Sequence, residues 1–204
     1  MSDEALAEAE KSKLSSTINK RLMNDEALVA ESGNSKLDNY KAYLDSLAKN
    51  NSSDIFTNGG WDHAAILLSK LINYTETEIR MFCEELKITE SIFIEALDEY
   101  LQNGKTIKLL LQKVPSNNRS YDLLKKYQQD RNNDTIKIKQ INEDGRSVSS
   151  LFSSFNFSVF DRNKFRLEIE PKEFKALGSF NSPDSAMPLL NIFDKAFDKS
   201  DDVY

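Results

Sequence analysis

Hydrophobic residues recur at helical spacing in the first quarter of the chain, but their stripes are narrow. The apolar positions are Leu14, Ile18 and Leu22 in the first stripe, and Leu37, Tyr40, Leu44 and Leu47 in the second. Residues 1–35 are therefore predicted to form one weakly amphipathic helix that ends in a linker at Ser32-Gly33-Asn34, and a second helix ends near residue 50. Because neither stripe is wide enough for a central core helix, we predict a helical N-terminal extension over 1–52 and a folded domain over 53–204.

Helix and strand patterns alternate in the middle of the chain. The predicted elements are a helix over 61–74, a strand over 78–83, a helix over 92–101, a strand over 106–111, a helix over 121–130 and a strand over 135–141. Successive strands joined by helices are typical of βαβ units, whose strands run parallel and whose crossovers are right-handed. The predicted fold class is therefore α/β, with a largely parallel sheet flanked by helices.

The last third of the chain changes to the two-residue period of a β-hairpin. Its apolar positions are Phe155, Phe157 and Val159 before a turn at 161–163, and Phe165, Leu167 and Ile169 after it. A short strand over 176–180 follows, and Ser182-Pro183-Asp184 is a typical start for a final amphipathic helix. The hairpin and the extra strand make the predicted sheet mixed, although still largely parallel.

Composition narrows the class of protein. The chain has 204 residues, of which 39% are hydrophobic and 29% are charged, so it is long enough for one domain with an extension and is not wholly disordered. The first ten residues are acidic and no long apolar run occurs, so we predict neither a signal peptide nor a membrane span, and a cytoplasmic location. One cysteine and one histidine exclude an internal disulfide, a cysteine cluster and a histidine-rich metal site. We therefore predict no metal and no cofactor.

The reactive residue types are interpreted as structural. His63 stands at a helix start, where an imidazole serves as a hydrogen-bonded anchor more often than as a catalyst. Cys83 stands at the end of an apolar strand face and is predicted to be a small buried hydrophobe. The acidic clusters are Glu84-Glu85 and the group of Glu95, Asp98 and Glu99. Both clusters are predicted to be solvated rather than metal-binding.

One stretch of the chain is basic, although the net charge of the whole chain is −6. Residues 104–139 hold nine basic and three acidic side chains. The candidate anion-binding residues are Lys105, Lys108, Lys125, Lys126, Lys137 and Lys139. A surface of this charge suits a phosphate backbone. The alternative is that these lysines occupy the solvated faces of a helix and two strands, since no aromatic ladder interleaves them.

Several short motifs follow one another in the predicted domain. They are Asp62-His63-Ala64-Ala65 in the first helix, the strand over 78–83, Gly104 at the end of a helix, the strand over 107–111, and Gly178-Ser179-Phe180-Asn181. Together with the order of the elements, they resemble a phospholipase D-like domain, the half-unit of the HKD superfamily, over residues 58–199. The last motif is similar to the G-S-x-N segment that follows the catalytic motif in that family.

The resemblance also implies where a catalytic site would lie. Active members of the family carry H-x-K with an Asp five residues after the Lys; the His attacks phosphorus and the Lys holds the phosphate oxygens. Here the corresponding stretch is Asn156-Phe157-Ser158, and Asp161 arrives too early. Because the nucleophile and the cation are both missing there, the resemblance implies that the protein is not an enzyme.

A polar cleft could survive at those positions without the catalytic motif. The candidate residues of this residual cleft are Asn156, Ser158, Asp161, Ser179 and Asn181. The alternative is that these side chains only satisfy the hydrogen bonds of loops and strand ends.

We therefore predict a non-catalytic, phospholipase D-like interaction or regulatory subunit of a larger cytoplasmic assembly. Its protein partner is expected on the N-terminal helices or on the Phe-rich hairpin, which could also join two copies in a homodimer. The rings near the hairpin are Phe152, Phe155, Phe157, Phe160 and Phe165. The alternative is a nucleic-acid-binding accessory protein or an atypical phosphodiesterase that uses the basic stretch over 105–139, with weak nucleic-acid binding because the whole chain is acidic. A third hypothesis is an unrelated α/β domain with a small-molecule ligand.

Overall fold

The computed structural model describes residues 33–130, 135–153 and 155–203. The helices are α1 (Gly33–Lys49), α2 (Trp61–Asn73), α3 (Ser91–Gln102), α4 (Arg119–Asp130), α5 (Glu143–Arg146) and α6 (Pro183–Lys199), with a 3₁₀ turn at Ser150–Ser153. The strands are β1 (Phe56–Gly59), β2 (Glu78–Cys83), β3 (Thr106–Leu111), β4 (Ile136–Gln140), β5 (Phe157–Phe160), β6 (Lys164–Glu170), β7 (Lys175–Ser179) and β8 (Asp201–Asp202). The helix predicted on Leu14, Ile18 and Leu22 lies outside the described residues.

The eight described strands form one sheet in the order β1-β7-β6-β5-β2-β3-β4-β8. Within it, β2 pairs with β3 and β3 with β4 in parallel, and every other pair of neighbours is antiparallel. The mixed α/β class is confirmed, but the prediction of a largely parallel sheet was wrong. Helical crossovers connect β2, β3 and β4, whereas β5, β6 and β7 follow one another through short turns, which join antiparallel strands.

The sheet separates two apolar clusters, because successive side chains of a strand point to opposite faces. On β3, Leu109 and Leu111 belong to the cluster under α1 to α4, which includes Leu67 of α2. Leu110 of the same strand belongs to the second cluster, which includes Phe193 of α6. Burial on both faces explains why the end of β3 is continuously apolar.

Helix α1 packs against α2. Leu44 is fully buried in the same cluster as Leu67 of α2. The helix begins at Gly33, so the linker predicted at Ser32-Gly33-Asn34 was wrong for its last two residues. Glycine and asparagine are also favoured where a helix begins, which is why the sequence pattern was ambiguous there. The domain boundary after residue 52 stays a prediction.

The sequence pattern did not predict two strands at the edges of the sheet. β1 pairs with β7, and the two-residue β8 pairs with β4. Phe-Thr-Asn-Gly and Asp-Asp are too short and too polar to show a strand period, so their partners define them as strands. The other predicted strands and helices of the domain are confirmed at their positions. None of the described helices is both long and apolar enough to cross a membrane.

Candidate functional site

Strand β6 carries three charged side chains on one buried face. Lys164, Arg166 and Glu168 stand at alternate positions and are only 8%, 4% and 4% exposed. Lys164 lies opposite Phe160 in the pairing of β5 with β6, and Phe160 belongs to the cluster under α1 to α4. The polar face of this strand is therefore covered by helices instead of facing solvent.

The central pair of this face is an ion pair that neighbouring polar groups hold in place. Arg166 Nη1 donates a hydrogen bond to Glu168 Oε1 at 2.9 Å, and Arg166 Nη2 donates to the carbonyl oxygen of Phe174 at 3.3 Å. The side-chain amide of Asn156 donates to the other carboxylate oxygen of Glu168. Asn156 Oδ1 in turn accepts a hydrogen bond from the backbone N–H of Glu84 at 2.8 Å.

A cavity of about 120 Å³ lies beside this ion pair, at the carboxyl end of β2. Its walls include Cys83 from β2, Ser158 from β5, and Arg166 and Glu168 from β6. Side chains beyond the ends of strands in an open α/β sheet commonly form ligand sites, because several chain segments converge there. The cavity is therefore the strongest candidate site in the described part of the chain.

Arg166 has hydrogen-bonding capacity that the fold leaves unused. Its Nε is buried and has no hydrogen-bond partner among the described residues. A buried polar group without a partner costs about 1–3 kcal/mol, so an acceptor supplied by a ligand would stabilise the site. The guanidinium group binds carboxylate and phosphate oxygens with particular geometric fit.

Helix α1 contributes Tyr40 to the surroundings of Arg166. Burial raises the pKa of the Tyr40 hydroxyl, and the positive charge of Arg166 opposes this effect only in part. The Tyr40 ring lies against the His63 ring, with 4.4 Å between centroids. Burial lowers the pKa of His63 and outweighs the opposite effect of the nearby Asp62 carboxylate. The packing of His63 agrees with a structural role.

At the other end of β6, Asp161 joins the turn after β5 to the start of β2. Its carboxylate accepts hydrogen bonds from the backbone N–H groups of Glu76 and Thr77 at 3.1 and 2.9 Å. It also accepts one from Lys164 Nζ at 2.7 Å. Burial alone would raise the pKa of Asp161, but these hydrogen bonds outweigh it and lower the pKa to about 2. This carboxylate is therefore an ionised structural clamp.

The five residues of the predicted residual cleft do not all meet in one place. Asn156 and Ser158 line the cavity at Arg166. Asp161 lies at the clamp, and Asn181 accepts a hydrogen bond from Asn163 at 3.2 Å. Ser179 is fully buried opposite Phe165, on the face of the second cluster. A ligand role for these five residues stays a prediction.

The structure also offers a second candidate for the family's H-x-K position. In the resemblance, that motif precedes the G-S-x-N segment, and β6 is the strand that directly precedes β7 and pairs with it. Lys164-Phe165-Arg166 lies on β6, with Arg166 opposite Gly178 of the G-S-x-N segment. The second hairpin strand was predicted from the sequence, but its polar positions were not considered as a site, so the two cations were missed.

The six candidate anion-binding lysines fall into separate places. Lys108 and Lys139 lie over the Phe197 ring, on the α6 side of the sheet. Lys137 is opposite Lys108 in the pairing of β4 with β3. Lys125 and Lys126 are on α4, and Lys105, which directly precedes β3, donates to the Thr75 carbonyl. Their anion-binding role stays a prediction.

The aromatic rings near the hairpin belong to the core. Phe152, Phe157, Phe160 and Phe165 are buried, and Phe155 is half-buried. Among the described residues, the exposed large hydrophobic side chain is Tyr43 of α1, at 49%. These rings therefore pack inside the domain, and a partner surface made of them stays a prediction without structural support.

The remaining reactive groups are placed as follows. Cys83 is buried, and burial raises the pKa of its thiol above the ordinary range. Glu84 lies within 3.9 Å of Lys87, and Glu85 within 3.7 Å of Lys113, so both acidic side chains have basic neighbours. Within the described ranges, no group of three His, Cys, Asp or Glu side chains could hold a metal ion.

Solved structures share this arrangement of strands and helices. Nuc from Salmonella typhimurium, a phospholipase D family member, matches 74% of this chain over 99% of its own, with a TM-score of 0.51 and 15% identity. The chain has a phospholipase D-like fold. NucT from Helicobacter pylori matches 74% of this chain over 100% of its own length, with a TM-score of 0.52 and 10% identity. Phosphatidylserine synthase from Haemophilus influenzae Rd KW20 matches 93% of this chain over 53% of its own length, with a TM-score of 0.51 and 11% identity. No protein-family profile and no curated protein matches the sequence.

These neighbours confirm the predicted phospholipase D-like resemblance and contradict the prediction that the protein is not an enzyme. They include a phospholipase D family member and a phosphatidylserine synthase, so the fold they share with this chain carries catalysts. The prediction rested on a missing nucleophile at Asn156 and a missing cation at Ser158; the strand paired with β7 carries two cations, Lys164 and Arg166, and no histidine. At 10–15% identity, the likeness establishes the fold and not the reaction.

Proposed function

We propose that this phospholipase D-like domain is a phosphodiester-processing enzyme that binds the phosphate group of its substrate in the cavity at Arg166. One observation carries the proposal: Arg166 is 4% exposed, lines a cavity of about 120 Å³, and keeps a buried Nε donor without a partner among the described residues. A guanidinium group in such a position is a strong phosphate ligand, because its donors match pairs of phosphate oxygens.

The surroundings of Arg166 support a catalytic role as well as binding. Negative charge on the phosphate oxygens must be stabilised in phosphoryl transfer, and a buried cation does this more strongly than one in water. Ser158 lies opposite Arg166 in the pairing of β5 with β6 and lines the same cavity. Its hydroxyl group adds a hydrogen-bond donor for the phosphate oxygens.

The names of two structural neighbours support the substrate class. One is a phospholipase D family member and the other a phosphatidylserine synthase, and phosphatidylserine is a phosphodiester. We carry only the chemical class of the substrate, a phosphate diester, over to this chain.

The basic stretch over 105–139 is less favoured as the phosphate site. Lys108 and Lys139 lie on the α6 side of the sheet, whereas Lys125 and Lys126 are on α4, which packs into the other cluster. A phosphate backbone needs cations along one continuous surface. A protein partner for the N-terminal extension stays a prediction, because residues 1–32 lie outside the described ranges.

The proposal is tested by replacing Arg166 in the full chain and measuring the hydrolysis of bis(4-nitrophenyl) phosphate. Arg166→Met is expected to lower kcat/KM by about a hundredfold, the usual effect of removing a charge-stabilising donor. The matched control is Lys175→Met, which removes an exposed cation that pairs with Glu170 and Glu173. The control is expected to keep the wild-type rate.

Arg166→Met leaves a buried carboxylate without its partner, which destabilises the fold. A second variant therefore has to separate unfolding from loss of catalysis. The double variant Arg166→Met with Glu168→Gln removes both charges and keeps the two side-chain volumes similar. If the double variant is folded and keeps the wild-type turnover, the proposed site is wrong. Absence of turnover and of phosphate-ester binding in the wild-type chain would contradict the proposed function.

A further inference from the structure

The cavity at Arg166 already contains an anion. The Glu168 carboxylate accepts a hydrogen bond from Arg166 at 2.9 Å, and both side chains are only 5% exposed. A negatively charged ligand at Arg166 therefore arrives beside a carboxylate that already neutralises the guanidinium charge. The low dielectric of a buried site makes this like-charge contact stronger than it would be in water.

Glu168 is held in place by more than the arginine. The side-chain amide of Asn156 donates to its second carboxylate oxygen. The backbone N–H of Glu168 donates to the Asn156 carbonyl at 2.8 Å, and Asn156 Oδ1 accepts from the N–H of Glu84. These contacts fix the carboxylate in the cavity, while Arg166 Nε is buried without a partner among the described residues. A bound anion and Glu168 therefore share the same arginine.

The charges that line the cavity also disfavour a doubly charged ligand. The charged side chains that line it are Glu84, Glu85, Lys87, Arg166, Glu168 and Lys172. Three are acidic and three are basic, so the lining has no net charge. A site that binds doubly charged anions needs an excess of positive charge, which this lining lacks.

We infer that Glu168 is a selectivity residue, a resident anion that makes the Arg166 cavity reject doubly charged phosphate groups. This inference rests on the proposed function, in which Arg166 binds the phosphate of the substrate. A phosphodiester carries one negative charge, whereas a phosphomonoester carries two above its second pKa of about 6. Glu168 repels the second species about twice as strongly at equal distance, since Coulomb energy is proportional to charge.

The experiment compares two small ligands that differ in charge. Dimethyl phosphate and methyl phosphate are titrated into the full chain at about pH 8, where the monoester is a dianion, and dissociation constants are measured by NMR chemical-shift changes. The wild-type protein is expected to bind dimethyl phosphate more tightly. Glu168→Gln is expected to strengthen methyl phosphate binding by about tenfold, the effect of one charge-assisted contact. The gain for dimethyl phosphate is smaller.

Two further variants make the result interpretable. Glu173→Gln removes an exposed carboxylate outside the cavity lining and is expected to leave both affinities unchanged. Glu168→Met removes the same carboxylate, so it is expected to shift the preference in the same direction as Glu168→Gln. If thermal unfolding shows that Glu168→Gln is not folded, this second variant tests the selectivity role in its place.

The outcomes separate this inference from the proposed function. If the wild-type chain binds the ligands and Arg166→Met loses them, but a folded Glu168 variant keeps the wild-type preference, the selectivity role is wrong and the phosphate site stands. Binding of neither ligand by any folded protein contradicts the phosphate site, and the selectivity role with it.

Discussion

Arg80 and Arg166 are both buried arginines on the same sheet, yet they differ in what surrounds them. Arg80 on β2 has two carboxylate partners, Glu78 and Asp194, the latter at 2.7 Å from its Nε. Burial lowers the pKa of Arg80, and hydrogen bonds from it to these carboxylates outweigh that effect and raise it. Arg166 has one carboxylate partner, Glu168, and its Nε has no partner in the described part of the chain.

The difference separates a structural cation from a candidate ligand site. Arg80 pairs with Glu78 and Asp194, and Lys108 lies 3.9 Å from the same Asp194 oxygen, so two cations are matched there by two carboxylates. Arg166 is likewise neutralised by one carboxylate, but it lines the cavity at the carboxyl end of β2, which Arg80 does not. Burial of an arginine alone is therefore a poor guide to function; an unused donor beside free volume is a better one.

The largest expected effect is on stability. Arg166→Met leaves Glu168 buried without its cation and is expected to lower the free energy of unfolding by about 3–5 kcal/mol. Arg80→Met is expected to cost only about 1–2 kcal/mol, because water still reaches Asp194 and Glu78. Urea denaturation of both variants measures the difference. Equal losses would show that the two arginines are equivalent in the fold.

A milder substitution tests geometry instead of charge. Arg166→Lys keeps the positive charge but loses the planar fork of donors, so dimethyl phosphate affinity is expected to fall by about tenfold. Arg80→Lys is expected to leave that affinity unchanged, because Arg80 does not line the cavity. An NMR titration of each variant measures the affinity. Unchanged binding by Arg166→Lys would mean that a point charge suffices.

The Asp161 clamp at the other end of β6 predicts a dependence of stability on pH. The pKa of Asp161 falls from its ordinary value of 3.8 to about 2 in the folded chain. A lowered folded pKa stabilises the protein above the unfolded value, and this stabilisation disappears as the pH falls from about 4 to about 2. Solvent screening limits it to about 1–2 kcal/mol.

Asp161→Asn checks this effect directly. The variant is expected to be less stable than the wild type at neutral pH and to approach it near pH 2, because the protonated wild type has lost the same charge. Thermal or urea unfolding over this range measures the two curves. A constant gap between them at every pH would assign the loss to shape and not to ionisation.

The smallest expected effect concerns the basic stretch. Lys125→Ala with Lys126→Ala removes two cations from α4, which is separate from the Arg166 cavity. Dimethyl phosphate affinity is expected to stay within about twofold of the wild type, since charges at a surface are screened by salt. A tenfold loss would instead place the phosphate site on the lysines over 105–139 and make Arg166 a structural arginine like Arg80.

Much of the secondary structure was predictable from local patterns. Alternation around Phe157 and Phe165 predicts the β5–β6 hairpin, and the run from Ile107 to Leu111 predicts a strand. Gly104 was expected at the end of a helix, and its φ of 71° lies in the left-handed region that glycine tolerates. These features depend on a few neighbouring residues, so the local sequence pattern is sufficient to predict them.

The direction of the strands and the site itself were not predictable in this way. The sheet order places β6 between β5 and β7, and pairs β5 with β2, through contacts between residues far apart in the chain. A two-residue period shows that Lys164, Arg166 and Glu168 share a face, but it cannot show whether water or helices cover that face. The local sequence determined the elements, whereas tertiary packing decided which charges became buried and which arginine came to line the cavity, because burial depends on the neighbours that the fold brings together.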